Sequence, residues 1–335
     1  MILVDSLHIN NSGGKILLDY LVSQLEEHKI AAFYLFDERC SDDFCDIPNN
    51  RKLFLKAGIL SRYNFYKKNK NNFYKVFCFA NTPPPIKLYK TEVFTYFHNT
   101  LLVSPPSIYS LSNKIKVGLQ RYLLVLFKKN TDKWIVQTYF VKEILASSLK
   151  LKYSDCLIYP FFDLSQNDLI LKKIKNSFCY ISIGAEHKNH SRLLEAWQML
   201  KNQNFKPELN LTVPLSNENL IIKINDLKKK GINIINHGLI LKEDVDKLYG
   251  KSEFLIYPSL AESFGLPLIE AVNLKCKVLA SDLAYVTAVI QPTAVFDPYS
   301  STSIVNQVKN VLETNYAESR IIVKNNIDDI INLLK

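Results

Sequence analysis

Short apolar runs alternate with longer amphipathic segments along this chain, and the alternation is its main structural signal. In the first half, Ile2 to Ser6, Ala31 to Phe36, Val76 to Ala80, Val93 to Phe97, Trp134 to Gln137 and Cys156 to Tyr159 are predicted as strands. In the second half the same reading gives Phe178 to Ile183, Glu208 to Val213, Ile232 to Ile235, Phe254 to Tyr257, Lys277 to Ala280 and Ala294 to Phe296. Helical segments fall between them, such as the one whose apolar face runs through Ile16, Leu17, Leu21 and Leu25. Strands alternating with helices argue for α/β architecture with a doubly wound parallel sheet in each half. Such sheets bind ligands beyond the carboxyl ends of their strands, so two in tandem can face each other across a cleft.

Length agrees with two cores, because 335 residues exceed the usual size of one. The expected domains are 1–163 and 164–335, joined at Pro160 to Ser165, with the last helix able to pack back on the first domain. The apolar stretch Tyr122 to Phe127 is too short to span a bilayer, and Met1 to Asp5 reads as a strand and not as a secretory signal. A cytoplasmic location is expected. The six cysteines form no Cys-x-x-Cys pair and read as reduced core thiols.

The net charge of +10 is uneven: residues 1–163 carry 22 Lys/Arg against 14 Asp/Glu. Between Asp46 and Glu92 lie ten basic residues and no acidic one, interleaved with aromatics from Arg62 to Lys75. That composition suits an anionic membrane surface, single-stranded nucleic acid or a solvated loop, and composition alone does not choose among them.

The densest chemical signal is Tyr257-Pro-Ser-Leu-Ala-Glu-Ser-Phe-Gly-Leu-Pro-Leu-Ile-Glu-Ala271. A buried strand leads into a loop holding Glu262 and Gly265, and a helix is expected to start at Pro267, with Glu270 one turn in. The backbone N–H groups of Phe264 to Leu268 are expected to hold an anionic group, while Gly265 lets backbone approach it closely. Two carboxylates beside an anion site would repel a bare phosphate, so the ligand should also present hydroxyl donors. A sugar joined to a nucleoside diphosphate has both parts. A solvated loop glutamate followed by a carboxylate favoured by the helix dipole is the plainer alternative, and the surrounding Pro-Ser and Phe-Gly-Leu-Pro weigh against it.

The Glu-x7-Glu spacing with Ser-Phe-Gly-Leu-Pro inside it resembles the retaining glycosyltransferases of family 4, of the bacterial surface-polysaccharide type, with the GT-B fold of two Rossmann-like domains. The resemblance implies that Glu262 faces the donor sugar and that Glu270 takes the ribose diol, with Ser263, Phe264, Gly265 and Leu266 forming the binding loop between them. Asn10-Asn-Ser-Gly-Gly-Lys15 resembles the family's first glycine-rich loop, in which Gly13 and Gly14 would let substrate or diphosphate approach a helix start. Gly184-Ala-Glu-His-Lys-Asn-His190 resembles the segment whose lysine, here Lys188, meets the donor diphosphate. Many relatives carry arginine directly after that glycine. Ala185 stands there instead, leaving phosphate charge to Lys188 alone, to His187 or to loop amides. A histidine at a similar strand end makes His98 the candidate active-site residue of the first domain, although a lone strand-end histidine also serves in packing. Asn236-His-Gly238 resembles a loop near the nucleotide base, and departures around Thr287 to Gln291 leave UDP versus GDP open.

The activity implied is transfer of a sugar, with retention, from a UDP- or GDP-sugar to a saccharide acceptor without a metal or other cofactor. By analogy the acceptor is lipid-linked, in lipopolysaccharide, O-antigen or capsule synthesis, with the enzyme peripheral on the inner face of an anionic cytoplasmic membrane and nucleic acid not among its partners. The alternatives are another GT-B sugar-nucleotide enzyme such as an epimerase, or a non-catalytic binding module using the basic face of the first domain.

Overall fold

The computed structural model describes residues 1–107, 109–164 and 171–335. They form two compact units: Met1–Pro105 with Ser110–Asp163 and Lys324–Lys335, and Pro106–Tyr109 with Leu164–Val323. Ser165, the last residue of the expected linker, lies outside the described residues.

In the first unit β1 (Ile2–Asp5), α1 (Ser12–Glu27), β2 (Ala32–Asp37), β3 (Lys52–Leu55), α2 (Ile59–Asn69) and β4 (Lys75–Cys78) are followed by β5 (Glu92–Phe97), α3 (Leu111–Phe127), β6 (Lys133–Val136), α4 (Tyr139–Leu149) and β7 (Cys156–Ile158). The seven strands form one parallel sheet in the order β3-β2-β1-β4-β5-β6-β7. Helices cover both faces, which is why these strands are continuously apolar instead of alternating. One core joins Leu3, Val76 and Val93 of the sheet to Phe65, Tyr66 and Phe73, and another joins Phe97, Trp134 and Val136 to Val141, Leu145 and Leu149 of α4.

The second unit contains β8 (Ile174–Tyr180), α5 (His190–Asn202), β9 (Glu208–Leu211), α6 (Glu218–Lys229), β10 (Ile234–Asn236), α7 (Lys242–Lys251) and β11 (Ser252–Tyr257). It continues through α8 (Leu266–Asn273), β12 (Lys277–Ser281), α9 (Ala284–Thr287), β13 (Ile290–Gln291), β14 (Ala294–Phe296), α10 (Ser301–Glu313) and β15 (Arg320–Ile321). Six of these strands form a second parallel sheet, β10-β9-β8-β11-β12-β14, and β13 pairs antiparallel with β15. The last helix, α11 (Ile327–Leu334), belongs to the first unit: Ile327, Ile330, Ile331 and Leu334 are buried, and Lys75 Nζ donates to the Leu333 carbonyl at 2.7 Å.

Each sheet reverses its strand order once, between β1 and β4 and between β8 and β11. Connections leave toward opposite faces there, and the crevice at the carboxyl ends is where this architecture places ligands. Three details depart from the sequence reading. The edge strand β3 lies within the basic run, where lysines mask its apolar content. β8 starts at Ile174 and ends at Tyr180, leaving Ile181 to Ile183 as loop. The pair β13 and β15 is only two residues long per strand, too short to leave a pattern.

Candidate active site

In the second unit the loops after the neighbouring strands β8 and β11 carry Lys188 and Glu262. The first loop turns at Gly184, whose φ is +81°, with Asn217 Nδ2 donating to its carbonyl at 2.9 Å. A short 3-10 turn, Glu186–Lys188, and Asn189 at φ +60° then lead into α5. The Asn189 amide donates to the carbonyls of Pro258 and Pro298 at 3.1 and 2.7 Å, the Leu260 N–H donates to His187 O at 2.8 Å, and Tyr180 Oη donates to Lys188 O at 2.8 Å. These bonds fix one loop against the other. They place Lys188 Nζ 2.5 Å from Glu262 Oε1, which also accepts from Tyr257 Oη at 2.9 Å.

The pair is largely withdrawn from water, with the Lys188 and Glu262 side chains 17% and 13% exposed. Burial alone would push the Glu262 carboxyl up, but the charge of Lys188, hydrogen bonds from Lys188 and Ser259, and His187 together bring it below its ordinary value. His187 behaves differently. Burial and the neighbouring Lys188 lower it to about 4, so it is neutral at neutral pH, and its Nδ1 lies 3.2 Å from the Tyr109 hydroxyl. It can hydrogen-bond a phosphate but supplies no cation, so it does not replace the arginine missing at Ala185.

Glu270 is reached through the loop Ser263–Gly265. Phe264 is buried, and Gly265, at φ +77°, caps α8. A Cβ at Gly265 would meet Leu268 Cδ1 at 3.0 Å. The helix starts at Leu266, so Pro267 is its second residue and not its first. Pro267 has no N–H and Leu268 donates to the Gly265 carbonyl at 2.9 Å, so fewer amides remain for an anion than the sequence reading counted. Glu270 Oε1 lies 3.3 Å from Lys242 Nζ, which also pairs with Asp246. Burial raises the Glu270 carboxyl by more than Lys242 lowers it. Lys242 opens a different helix, α7, and nothing in the local sequence links it to Glu270. Asn236 and His237 serve structure: Asn236 holds Val213 through both its N–H and its carbonyl at 2.9 Å, and His237 Nε2 lies 2.8 Å from Asn210 Oδ1.

The first unit holds a cavity of about 410 Å³ at its own strand reversal, lined in part by His8, Gly14, Arg62, Asn81, His98 and Gln120. The His98 N–H donates to Asn81 Oδ1 at 2.7 Å, and the ring stands edge-on to Phe79 and Tyr96. Its Nδ1 is buried without a hydrogen-bond partner among the described residues, and burial lowers the ring to about 4, so it acts as a neutral imidazole. A Cβ on Gly14 would come within 3.9 Å of His98 Nε2. Gly13 is not part of the lining, and both glycines lie in the first turn of α1 instead of in the loop before it. Arg62 is bound to Asp5 at 2.8 Å and to the carbonyls of Thr82 and Pro83, so it brings little free charge. Thus Lys188 and Glu262 are joined directly, Gly184 lies on the loop of Lys188, Ser263, Phe264 and Gly265 lie on the loop of Glu262, Leu266 and Glu270 lie on α8 with Glu270 paired to Lys242, and Gly14 and His98 share the cavity of the first unit.

Residues 162–328 match the family model described as glycosyl transferases group 1, so this segment is a glycosyltransferase group 1 domain. The two parallel sheets have the architecture of the GT-B glycosyltransferases. In sequence the chain is 27% identical over 209 residues to the O-antigen chain mannosyltransferase RfbU of Salmonella typhimurium. The match covers 60% of this chain and 56% of that protein, little more than half of the relative's length. In fold it is similar to sucrose-phosphate synthase from Thermosynechococcus elongatus, with a TM-score of 0.72 and 15% identity, covering 93% of this chain and 89% of that one. It is also similar to Anabaena Alr3699/HepE, solved in complex with UDP and glucose, with a TM-score of 0.66, 11% identity and the same coverage.

Proposed function

We propose that the protein is a retaining glycosyltransferase of family 4 that moves a sugar from a UDP- or GDP-sugar to a saccharide acceptor. The observation that carries this reading is the Lys188–Glu262 pair, set on neighbouring strand ends where the second sheet reverses its order. A diphosphate at this point draws the ammonium of Lys188 toward itself, which releases the Glu262 carboxylate to hold the transferred sugar and to stabilise positive character at its anomeric carbon. The bond from that carbon to the phosphate oxygen breaks, and the acceptor oxygen bonds to the same face. The acceptor proton passes to the departing phosphate, and the nucleoside diphosphate leaves with its charge met by Lys188 and loop amides. Glu270 takes the ribose hydroxyls. In this reading the reaction needs no divalent metal.

The acceptor is a lipid-linked saccharide of lipopolysaccharide, O-antigen or capsule type, taken up at an anionic membrane surface, with His98 at the acceptor side. The O-antigen mannosyltransferase among the relatives and the group 1 domain support this assignment. Calorimetric titration of the purified chain with UDP-, GDP- and ADP-sugars tests the donor, followed by transfer in EDTA and assignment of the new anomeric centre by NMR. Binding of one UDP- or GDP-sugar and a product of retained configuration are expected. Absence of binding to all of them, or an inverted product, overturns the reading.

A further inference from the structure

The helix α3 has two apolar faces. On its inner side Leu124 is fully buried in the core with Trp134 and Leu145, and Gln120, Leu123 and Phe127 line the cavity that holds His98. On the opposite side Leu111, Ile115, Leu119, Tyr122 and Leu126 form a stripe at helical spacing and are each between 56 and 75% exposed. Isolated exposed apolar side chains are ordinary, but five in register on one face are a continuous apolar patch.

The charge around the stripe is of one sign. No acidic residue occurs between Glu92 and Asp132, whereas Lys114, Lys116, Arg121, Lys128 and Lys129 lie on α3 or just after it. Lys114 and Arg121 flank one edge of the stripe, and Lys116 lies toward the other. Lys128 is committed to the Leu149 carbonyl at 2.6 Å, which leaves the others to meet an outside partner. A helix with an outward apolar stripe and basic edges fits the boundary between lipid headgroups and acyl chains, where apolar insertion and attraction to anionic headgroups add.

The basic and aromatic run in 51–75 lacks this combination. Phe65, Tyr66 and Phe73 are core residues, Arg62 is buried on Asp5, and Arg51 is bound to Glu26 at 2.6 Å; besides Lys67, Lys68 and Lys70 the exposed residues include Leu53, Ile59, Leu60, Tyr63 and Tyr74, but these are spread over β3, the start of α2 and the loop after it and form no five-residue stripe. We propose that α3 is the membrane-docking element of this chain, lying in the plane of an anionic bilayer on its Leu111–Ile115–Leu119–Tyr122–Leu126 face. The inner face of the same helix lines the His98 cavity, so docking brings that cavity to the headgroup level. This deepens the proposed membrane-linked acceptor but does not depend on it, because the argument rests on exposure and charge alone.

Vesicle co-sedimentation of the full chain tests the proposal, using phosphatidylcholine vesicles with and without phosphatidylglycerol, beside separate titration of each protein with the donor nucleotide sugar. Wild type should bind only the anionic vesicles and be released by salt. Combined Ile115→Gln, Leu119→Gln and Leu126→Gln, which keep good helix formers on exposed positions, should weaken vesicle binding by about tenfold or more, as should combined Lys114→Glu, Lys116→Glu and Lys129→Glu. Combined Lys67→Glu, Lys68→Glu and Lys70→Glu should leave it within about twofold. Any of three results overturns the proposal: no binding by wild type, undiminished binding by the glutamine variant, or equal loss in the Lys67 variant. Self-association that the glutamine variant abolishes, without vesicle binding, assigns the stripe to a second copy of the chain and also overturns it. Loss of donor binding in all proteins with vesicle binding intact sinks only the catalytic reading.

Discussion

Lys188 Nζ stands 2.5 Å from Glu262 Oε1, so the cation proposed to meet the donor diphosphate and the carboxylate proposed to face the donor sugar are direct partners. Lys188 favours the charged form of Glu262. A ligand that engages one must therefore change the electrostatics of the other, and a substitution at either position has two consequences.

Lys188→Ala should lower transfer by about tenfold or more, equivalent to about 1.4 kcal/mol of barrier. It also leaves Glu262 mostly buried without its cation, at a cost of about 2 kcal/mol, less than for a fully buried pair because both side chains keep some water. The Glu262 carboxyl is depressed in the fold, so the pair stabilises the protein above the unfolded glutamate value, and that stability is lost as pH falls through the lowered folded value. Thermal melting from neutral to acid pH should show a shallower decline in the alanine variant. An unchanged acid limb would show that the pair adds nothing to stability.

Glu262→Gln should separate binding from chemistry. The amide keeps the volume and can still accept from Tyr257, but it neither attracts Lys188 nor stabilises positive charge. Free nucleotide should bind within about twofold of wild type while turnover falls by about tenfold or more, the mark of an interaction gained at the reacting centre. Weakened binding of the free nucleotide with normal turnover would place Glu262 on the nucleotide instead.

Glu270 predicts a pH dependence of opposite sign. Burial raises its carboxyl despite Lys242, so its contribution to stability is present below the unfolded glutamate value and is lost as pH rises through the raised folded value. On the proposed ribose role nucleotide affinity should run the other way, because the carboxylate is the form able to accept from both ribose hydroxyls. Affinity should fall on acidification, beginning above the ordinary glutamate range. Lys242→Ala should move that midpoint upward, and Glu270→Ala should abolish it and weaken nucleotide binding by about 1.5–3 kcal/mol. Calorimetry across pH reads all three, and a midpoint that does not move in the Lys242 variant would dissociate the lysine from the site.

The strands and the Glu262 loop were legible because their signals are local: apolar runs buried on both faces, and a glycine and proline where a loop turns into a helix. What the sequence concealed is long-range. Lys242 reaches Glu270 from another helix, and the pairing of Lys188 with Glu262 follows from β8 and β11 being neighbours, which no spacing encodes. The basic run misleads for the same reason: Arg62 reads as surface charge until Asp5, 57 residues away, is placed against it. The outward stripe of α3 has the period of a core face, and periodicity alone does not say which side the core is on.

The Gly184 turn offers the sharpest test of how the site is held. A Cβ there would lie 2.6 Å from Asn217 Nδ2 and 3.0 Å from Leu220 Cδ2, on a backbone at φ +81°. Gly184→Ala therefore meets two separate costs: left-handed strain of roughly 1–2 kcal/mol, and displacement of the Asn217 amide from its 2.9 Å bond to the Gly184 carbonyl. Asn217→Ala removes the same hydrogen bond but leaves the turn unstrained, so it should cost about 1 kcal/mol. In the double variant the clash with Asn217 is gone and the strain remains, so its loss of stability should be smaller than the sum of the single losses by about 1 kcal/mol. Denaturant unfolding of the four proteins measures this directly. Because the loop that carries Lys188 turns at Gly184, donor affinity should fall in Gly184→Ala and partly recover in the double variant. Strict additivity in stability, or an affinity indifferent to both changes, would mean that Asn217 does not brace this turn.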